Sequence, residues 1–330
     1  MNDDPKPMNG HRPVGLLHLL HPSLKSADLP ALDDLSFDVD DVIARVVQVA
    51  AATMPDALTA RMLGDEREGS GIVIGEDGLI LTIGYVILEA ADVTITTDAG
   101  IVSPADVVGY DYESGFGLVQ ATVPLAVSPL GIGDPASLKE NDPVLIVSFG
   151  GHDNAMTALI VSRRDFAGYW EYMLDDAFFT SPPHPNWSGA AMIGMDGKLM
   201  GLGSLFVNDA LPGASDLLEP ILPAILSRRF RALQQRPWLG LFTAETLGYL
   251  VVTGVMPDGP ADSAGIEPGD IILRIVEQRV KNLRELYKAI WGLGDAVVLV
   301  PMTLVRDGEA QEVAVRSVDR NSFFRSPSTH

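Results

Sequence analysis

The chain has 330 residues, 47% hydrophobic and 20% charged, enough apolar mass for two or three domains that each bury a core, which excludes a disordered chain. With 23 basic against 44 acidic residues, the net charge of -21 repels phosphate backbones and anionic lipid surfaces, so nucleic acid is not expected as a partner. Cysteine is absent, which excludes disulfides and thiolate chemistry, and six scattered histidines without paired ligand spacing predict no metal or other cofactor.

Residues 1–36 are rich in Pro, Asp and His and are expected to form a partly flexible N-terminal extension. The start MNDDPKPMNGHRP has no basic n-region, and the apolar run Val14–Leu20 is short and interrupted by His18. No secretory signal is therefore predicted, and no apolar run is long enough to span a bilayer. On that ground the expected compartment is the cytoplasm, and an integral membrane protein is not expected. From Val42 to Met54 the apolar spacing suits either a buried helix or an entering strand, and pattern does not separate the two.

Beyond Gly69 the chain turns to short strands: SGIVIGEDGLILTIGYVI, ADVTITTDAGIVSPADVVGYD, GLVQATV, DPVLIVSFGG and TALIVSRR. Strands at this spacing with Gly and Asp-Gly punctuation predict an all-β sandwich or barrel, with hairpin turns at GEDG 75–78 and MDGK 195–198. The stretch RRFRALQQR from Arg228 to Arg236 reads as a helix end and a linker. Strands resume with WLGL and YLVVTGVM. Asn282 followed by Glu285 predicts a capping box ahead of the helical stretch LRELYKAIWGL, closed by Gly292 or Gly294. The last two strands are joined at Asp307-Gly308, and the tail from Asn321 is expected to be loose. The expected division is 1–36 extension, 37–228 β domain, 229–320 second domain and 321–330 tail.

Four segments carry chemistry. GSGIVIGEDGLILTIGY ends at Tyr85, VVGYDYESGFGLV contains Asp111 and Gly115, HPNWSGAAM presents Ser188 in a glycine-flanked turn, and WLGL precedes MPDGPADSAGIEPGDIIL. On these segments, 69–203 resembles the trypsin-like protease domain of the HtrA (DegP/DegQ/DegS) family, and 237–318 resembles the PDZ domain that follows it there. The resemblance implies a mainly β fold, a trypsin-like double β-barrel followed by a PDZ domain. It places Ser188 at the nucleophile position, Tyr85 where the base histidine belongs, Gly115 where the orienting aspartate belongs, and Asn186 where the oxyanion-hole turn has glycine. Asp111 matches an earlier, noncatalytic aspartate. The intervals of 30 residues from Tyr85 to Gly115 and 73 from Gly115 to Ser188 resemble the family's spacing, which argues against a register error.

A phenol with a pKa of about 10 is no acceptor for a serine proton at neutral pH, and glycine offers no carboxylate. Loss of one triad member typically costs on the order of 10⁴ in turnover, so a proteolytically inactive pseudoprotease is expected. His184 and His152 are the histidines near the serine turn in sequence; no spacing rule makes either a base, and they read as a loop histidine and a surface residue. Ser188 then remains because its hydroxyl satisfies the turn, with Trp187 partly filling the former cleft.

The PDZ resemblance implies a peptide groove in which backbone amides of Trp238, Leu239, Gly240 and Leu241 hold a terminal carboxylate. Leu286 and Ile290, with Leu283 near the helix start, wall it. The partners implied are C-terminal or extended peptides, unfolded or partner proteins and active HtrA-type proteases. The work implied is that of a scaffold, chaperone-like holder or regulatory subunit in protein quality control. The family also implies a homo-oligomer, a trimer, and a periplasmic location as the alternative compartment. The competing function is an active serine endopeptidase with a rearranged site around Ser188, and a third is a purely structural role.

Overall fold

Apolar residues at alternate positions, punctuated by glycine-containing turns, close the larger part of the chain into two six-stranded barrels. The computed structural model of the protein describes residues 29–207, 215–220 and 236–324. The expectations for residues 1–28, for 228–235 of the linker and for 325–330 of the tail lie outside the described residues. The first barrel comprises β1 (Val46–Thr53), β2 (Glu66–Val73), β3 (Leu79–Ile83), β4 (Ala90–Thr96), β5 (Val102–Tyr110) and β6 (Phe116–Ala121), in the order β1-β2-β3-β6-β5-β4. The second comprises β7 (Pro143–Val147), β8 (Ala155–Gly168), β9 (Tyr172–Ser181), β10 (Ala191–Ile193), β11 (Leu199–Val207) and β12 (Ser215–Pro220), in the order β10-β11-β12-β9-β8-β7.

Alternation along each strand sends side chains to two places. Ile80 points into the first barrel with Val47, Val49, Ile95 and Val119, while its neighbours Leu79 and Leu81 join Phe116, Leu145 and Ala191 in a cluster built from both barrels. That is why β3 reads as an unbroken apolar run: all five of its residues are buried. The segment Val42–Met54 uses both of the readings left open above. A short helix, Val39–Ile43, is N-capped by the Asp38 carboxylate, and β1 follows it. The last residues of the N-terminal extension are part of the fold. Leu32 and Leu35 pack on the shared cluster, and the Thr157 hydroxyl donates to the Pro30 carbonyl at 2.9 Å.

The second unit has a six-stranded sheet. Four strands follow one another along it, β14 (Leu241–Thr246), β15 (Tyr249–Val255), β16 (Ile271–Ile275) and, beyond the short β17 (Gln278–Arg279) that pairs with β16, β18 (Leu299–Arg306), which carries β19 (Glu309–Arg316) at the far edge. A separate two-stranded sheet joins β13 (Pro237–Trp238) to β20 (Val318–Asp319). Asp307 and Gly308, at φ +52° and +83°, make the hairpin turn that the sequence signals. The helix Leu283–Trp291 starts where expected: Asn282 Oδ1 accepts from the Glu285 amide at 2.8 Å, and the Glu285 carboxylate accepts from the Lys281 amide. Among the described residues no helix is long and apolar enough to cross a membrane.

Two features of this unit were not expected. Residues 321–324 are not loose: a short helix, Arg320–Phe323, stacks Phe323 and Phe324 on Trp238 at ring distances of 4.8 and 5.6 Å, and Phe324 is buried. The apolar Phe-Phe pair overrides the polar character of the tail around it. The unit also takes in residues 165–175, the tip of the β8–β9 hairpin, together with 227–330.

Candidate functional sites

Around Ser188 the residues at the expected site positions are held in hydrogen bonds. Tyr85 lies on the short helix Gly84–Ile87, and its hydroxyl is hydrogen-bonded with the side chains of Ser188 and Trp187. An indole N–H can only donate, so Trp187 donates to the phenol oxygen. The Ser188 hydroxyl also lies 3.5 Å from the Glu68 carbonyl. A neutral phenol is a poor acceptor for a serine proton, so this contact does not activate the hydroxyl. Desolvation of the Tyr85 hydroxyl pushes its pKa up to about 12, so it stays protonated at neutral pH.

Gly115 sits at φ +78°, a left-handed conformation that glycine adopts without strain, and its carbonyl accepts from the Gly84 amide at 2.7 Å. Asp111, buried nearby in sequence, spends its carboxylate on the Ser114 hydroxyl at 2.7 Å and the Glu113 amide. Neither position supplies an orienting carboxylate to position 85.

Asn186 is engaged as well. Its backbone N–H, the group expected to face an oxyanion, donates to His184 Nδ1 at 3.0 Å, and its side-chain amide bonds to the Asn154 side chain at 2.7 Å. His184 Nε2 lies 3.2 Å from the Asn154 carbonyl. Because Nδ1 accepts, Nε2 carries the proton, so the ring is neutral and has no lone pair left for a serine proton. Burial lowers the His184 pKa, partly opposed by its backbone hydrogen bonds to Asn154 and Asn186. A histidine with a depressed folded pKa favours folding above its unfolded value of about 6.5, and that contribution is lost as pH falls below it. We expect the His184 ring to titrate below the ordinary histidine midpoint in an NMR titration, starting from the Nε2–H neutral form at pH 7; an ordinary titration near ~6.5 would count against this network. His152 is exposed and pairs with Asp40 at 2.5 Å.

The PDZ-like site is assembled from an edge strand, a loop and a helix. Leu239 and Leu241 are buried in a cluster with Leu283, Leu286 and Ile290, and Gly240 takes φ +76° between them. Trp238 does not line a groove; its buried ring is packed by Phe323 and Phe324. The carboxylate cradle is occupied from within the unit. Glu171 Oε1 accepts from the Leu241 amide at 2.7 Å, and Oε2 accepts from the Leu239 amide at 3.0 Å. Glu171 is buried, which raises its pKa, against the lowering effect of the Leu241, Leu239 and Gly240 amides and of Arg320. Tyr287, on the helix, donates its hydroxyl proton to the Gly168 carbonyl at 2.6 Å and accepts from the Glu171 amide at 3.2 Å. The sequence pointed to neither Glu171 nor Tyr287: 68 residues separate Glu171 from Leu239, and no local pattern links them.

Comparison with known proteins fits this geometry. The model of the trypsin-like peptidase domain matches residues 69–202, and that of the PDZ domain matches residues 235–316. A protein of Haemophilus influenzae described as "Probable periplasmic serine protease do/HhoA-like" is 26% identical, over 75% of this chain and 57% of its own length. One of Ectopseudomonas mendocina described as "Probable periplasmic serine endoprotease DegP-like" is 25% identical, over 89% of this chain and 65% of its own. The chain thus spans less than two thirds of the length of these relatives. Among solved structures, the HtrA-type protease AlgW with decapeptide is similar at a TM-score of 0.52 and 20% identity, over 86% of this chain and 97% of that one. The serine endoprotease from Yersinia pestis is similar at 0.50 and 23% identity, over 85% and 96%. The likeness to these structures is one of fold. The chain thus has a trypsin-like peptidase domain followed by a PDZ domain and is similar to proteins of the HtrA/DegP family.

Proposed function

We propose that the chain is a proteolytically inactive member of this family that works by binding peptides or protein partners through its PDZ domain, as a scaffold, chaperone-like holder or regulatory subunit. The observation that carries the reading is that a phenol, not an imidazole, is hydrogen-bonded to the Ser188 side chain. The left-handed glycine at 115 and the engaged Asn186 amide support it from two other sides of the same site. Peptide binding is supported by the backbone amides of Leu239 and Leu241, which converge on a carboxylate, and by the relative solved with a decapeptide. Active relatives are proposed as partners and a homotrimer as the assembly, both from the family pattern. The proposed compartment is the periplasm, following the relatives' descriptions, in preference to the cytoplasm.

The test is labelling by a serine-directed fluorophosphonate together with degradation of an unfolded substrate, in the wild type and in Ser188→Ala. The expected result is no label and no cleavage that depends on Ser188. Label and cleavage lost in Ser188→Ala would establish the competing endopeptidase, a reading favoured only by the retention of the serine hydroxyl at its position.

A further inference from the structure

We propose that the tip of the β8–β9 hairpin is an internal ligand of the PDZ groove, with the Glu171 carboxylate standing in for a peptide's terminal carboxylate, so that a partner peptide binds by displacing it. This rests on the peptide-binding reading above and adds how that site is controlled and what chemistry opens it.

Three surfaces of a peptide groove are each engaged by this one segment. The loop amides of Leu239 and Leu241 hold the Glu171 carboxylate. The edge strand β14 donates the Thr243 amide to the Tyr169 carbonyl at 2.9 Å, the kind of main-chain bond by which an extended ligand adds to a sheet edge. The helix contributes Tyr287, bonded to the backbone of both Gly168 and Glu171. Met173 is buried in the same cluster as Leu239, Leu241, Leu286 and Ile290, and Ala167 packs against it. The segment therefore presents both features by which such a groove reads a C-terminus, a carboxylate and an apolar side chain.

The docking is also built to be reversible. Glu171 holds φ +54°, a left-handed conformation that is strained for a residue with a side chain, and its charge is taken out of water. At the flanks the helix holds the segment through two ion pairs, Arg284 with Asp165 at 2.6 Å and Lys288 with Asp175 at 3.4 Å. These are substantially exposed pairs, which hold weakly and are screened by salt. A competing peptide that supplies a free carboxylate and an unbranched apolar last residue replaces what Glu171 and Met173 provide without the strain. The apparent affinity for it is reduced by the fraction of molecules in which the groove is open.

The experiment uses the full chain, with amide hydrogen exchange at Leu239 and Leu241 and titration of a fluorescein-labelled decapeptide ending in methionine, with either a free carboxylate or a C-terminal amide. In the wild type the two amides are expected to exchange slowly and the peptide to bind weakly. In Glu171→Ala both amides are expected to exchange at least ~10-fold faster and the free-carboxylate peptide to bind at least ~10-fold tighter, with the amidated peptide failing to bind. Unchanged exchange at both amides, or released amides with an unchanged affinity for a peptide that binds, overturns the proposal. Released amides with no binding by either chain leave the internal ligand standing and remove the peptide-binding reading instead. Glu171→Gln, which keeps the shape and removes the charge, is expected to shift both readouts in the same direction and guards against a folding defect in the alanine variant.

Discussion

Replacing Arg67 by alanine is expected to destabilise the trypsin-like unit by about 3–5 kcal/mol, the cost typical of removing one partner from a buried charged network. Arg67 is 5% exposed on β2, and its guanidinium donates to four oxygens: the carbonyls of Gly64, Tyr85 and Leu88 and the Thr59 hydroxyl. Thr59 in turn gives its amide and its hydroxyl to the Glu89 carboxylate, at 2.9 and 2.7 Å, and both Thr59 and Glu89 are 2% exposed. Burial lowers the Arg67 pKa, with Glu89 and then Asp65 opposing it. Truncation at 67 would leave three carbonyls without this donor and Glu89 without its cation, and it would release the backbone within and just after the short helix that carries Tyr85. Lysine cannot replace it, because a single ammonium cannot span acceptors that a planar fork reaches at once. The measurement is the urea midpoint of amide protection in β1 and β2. If Glu89→Gln is added to Arg67→Ala, the double variant should lose less than the sum of the two, since the carboxylate stranded by the first change is neutralised by the second. A loss under about 1 kcal/mol for Arg67→Ala would contradict the network described here.

How far the sequence could be read depended on the range of the interactions involved. Strands and turns are local, so GEDG, MDGK and Asp307-Gly308 mark the hairpins that form, and Asn282 with Glu285 marks the start of the longest helix among the described residues. Tyr85, Gly115 and Ser188 were each singled out by a flanking motif of their own. What the sequence did not carry is which groups those residues bond. That His184 takes the Asn186 amide depends on Asn154, 30 residues away, receiving the other ring nitrogen. That Trp238 packs on Phe323 and Phe324 depends on a tail that composition alone marks as polar. The gap is widest at Glu171, an acidic residue in an aromatic hairpin tip, which reads as a solvated turn until the backbone amides of Leu239 and Leu241 are placed against it.

Placing histidine at position 85 and aspartate at position 115 is expected not to produce proteolysis. In the double variant Tyr85→His, Gly115→Asp, fluorophosphonate labelling and cleavage of an unfolded substrate should remain at the level of Ser188→Ala. One reason lies at position 115, where the backbone holds φ +78°. An aspartate there must either accept a left-handed conformation or break the bond from the Gly84 amide to the Gly115 carbonyl. The second reason lies across the site, where the Asn186 amide donates to His184 and so does not aim at a developing oxyanion. An absent oxyanion donor alone costs about 10²–10³ in turnover, which lies on top of any defect in the rebuilt pair. The informative contrast adds His184→Asn and Asn186→Gly to the double variant, freeing the amide and relaxing the turn. Label that appears only in the four-position variant would assign the defect to both halves of the site. Label and cleavage already present in the double variant would mean that the hole forms once the imidazole and carboxylate are in place, and that positions 85 and 115 alone keep Ser188 silent.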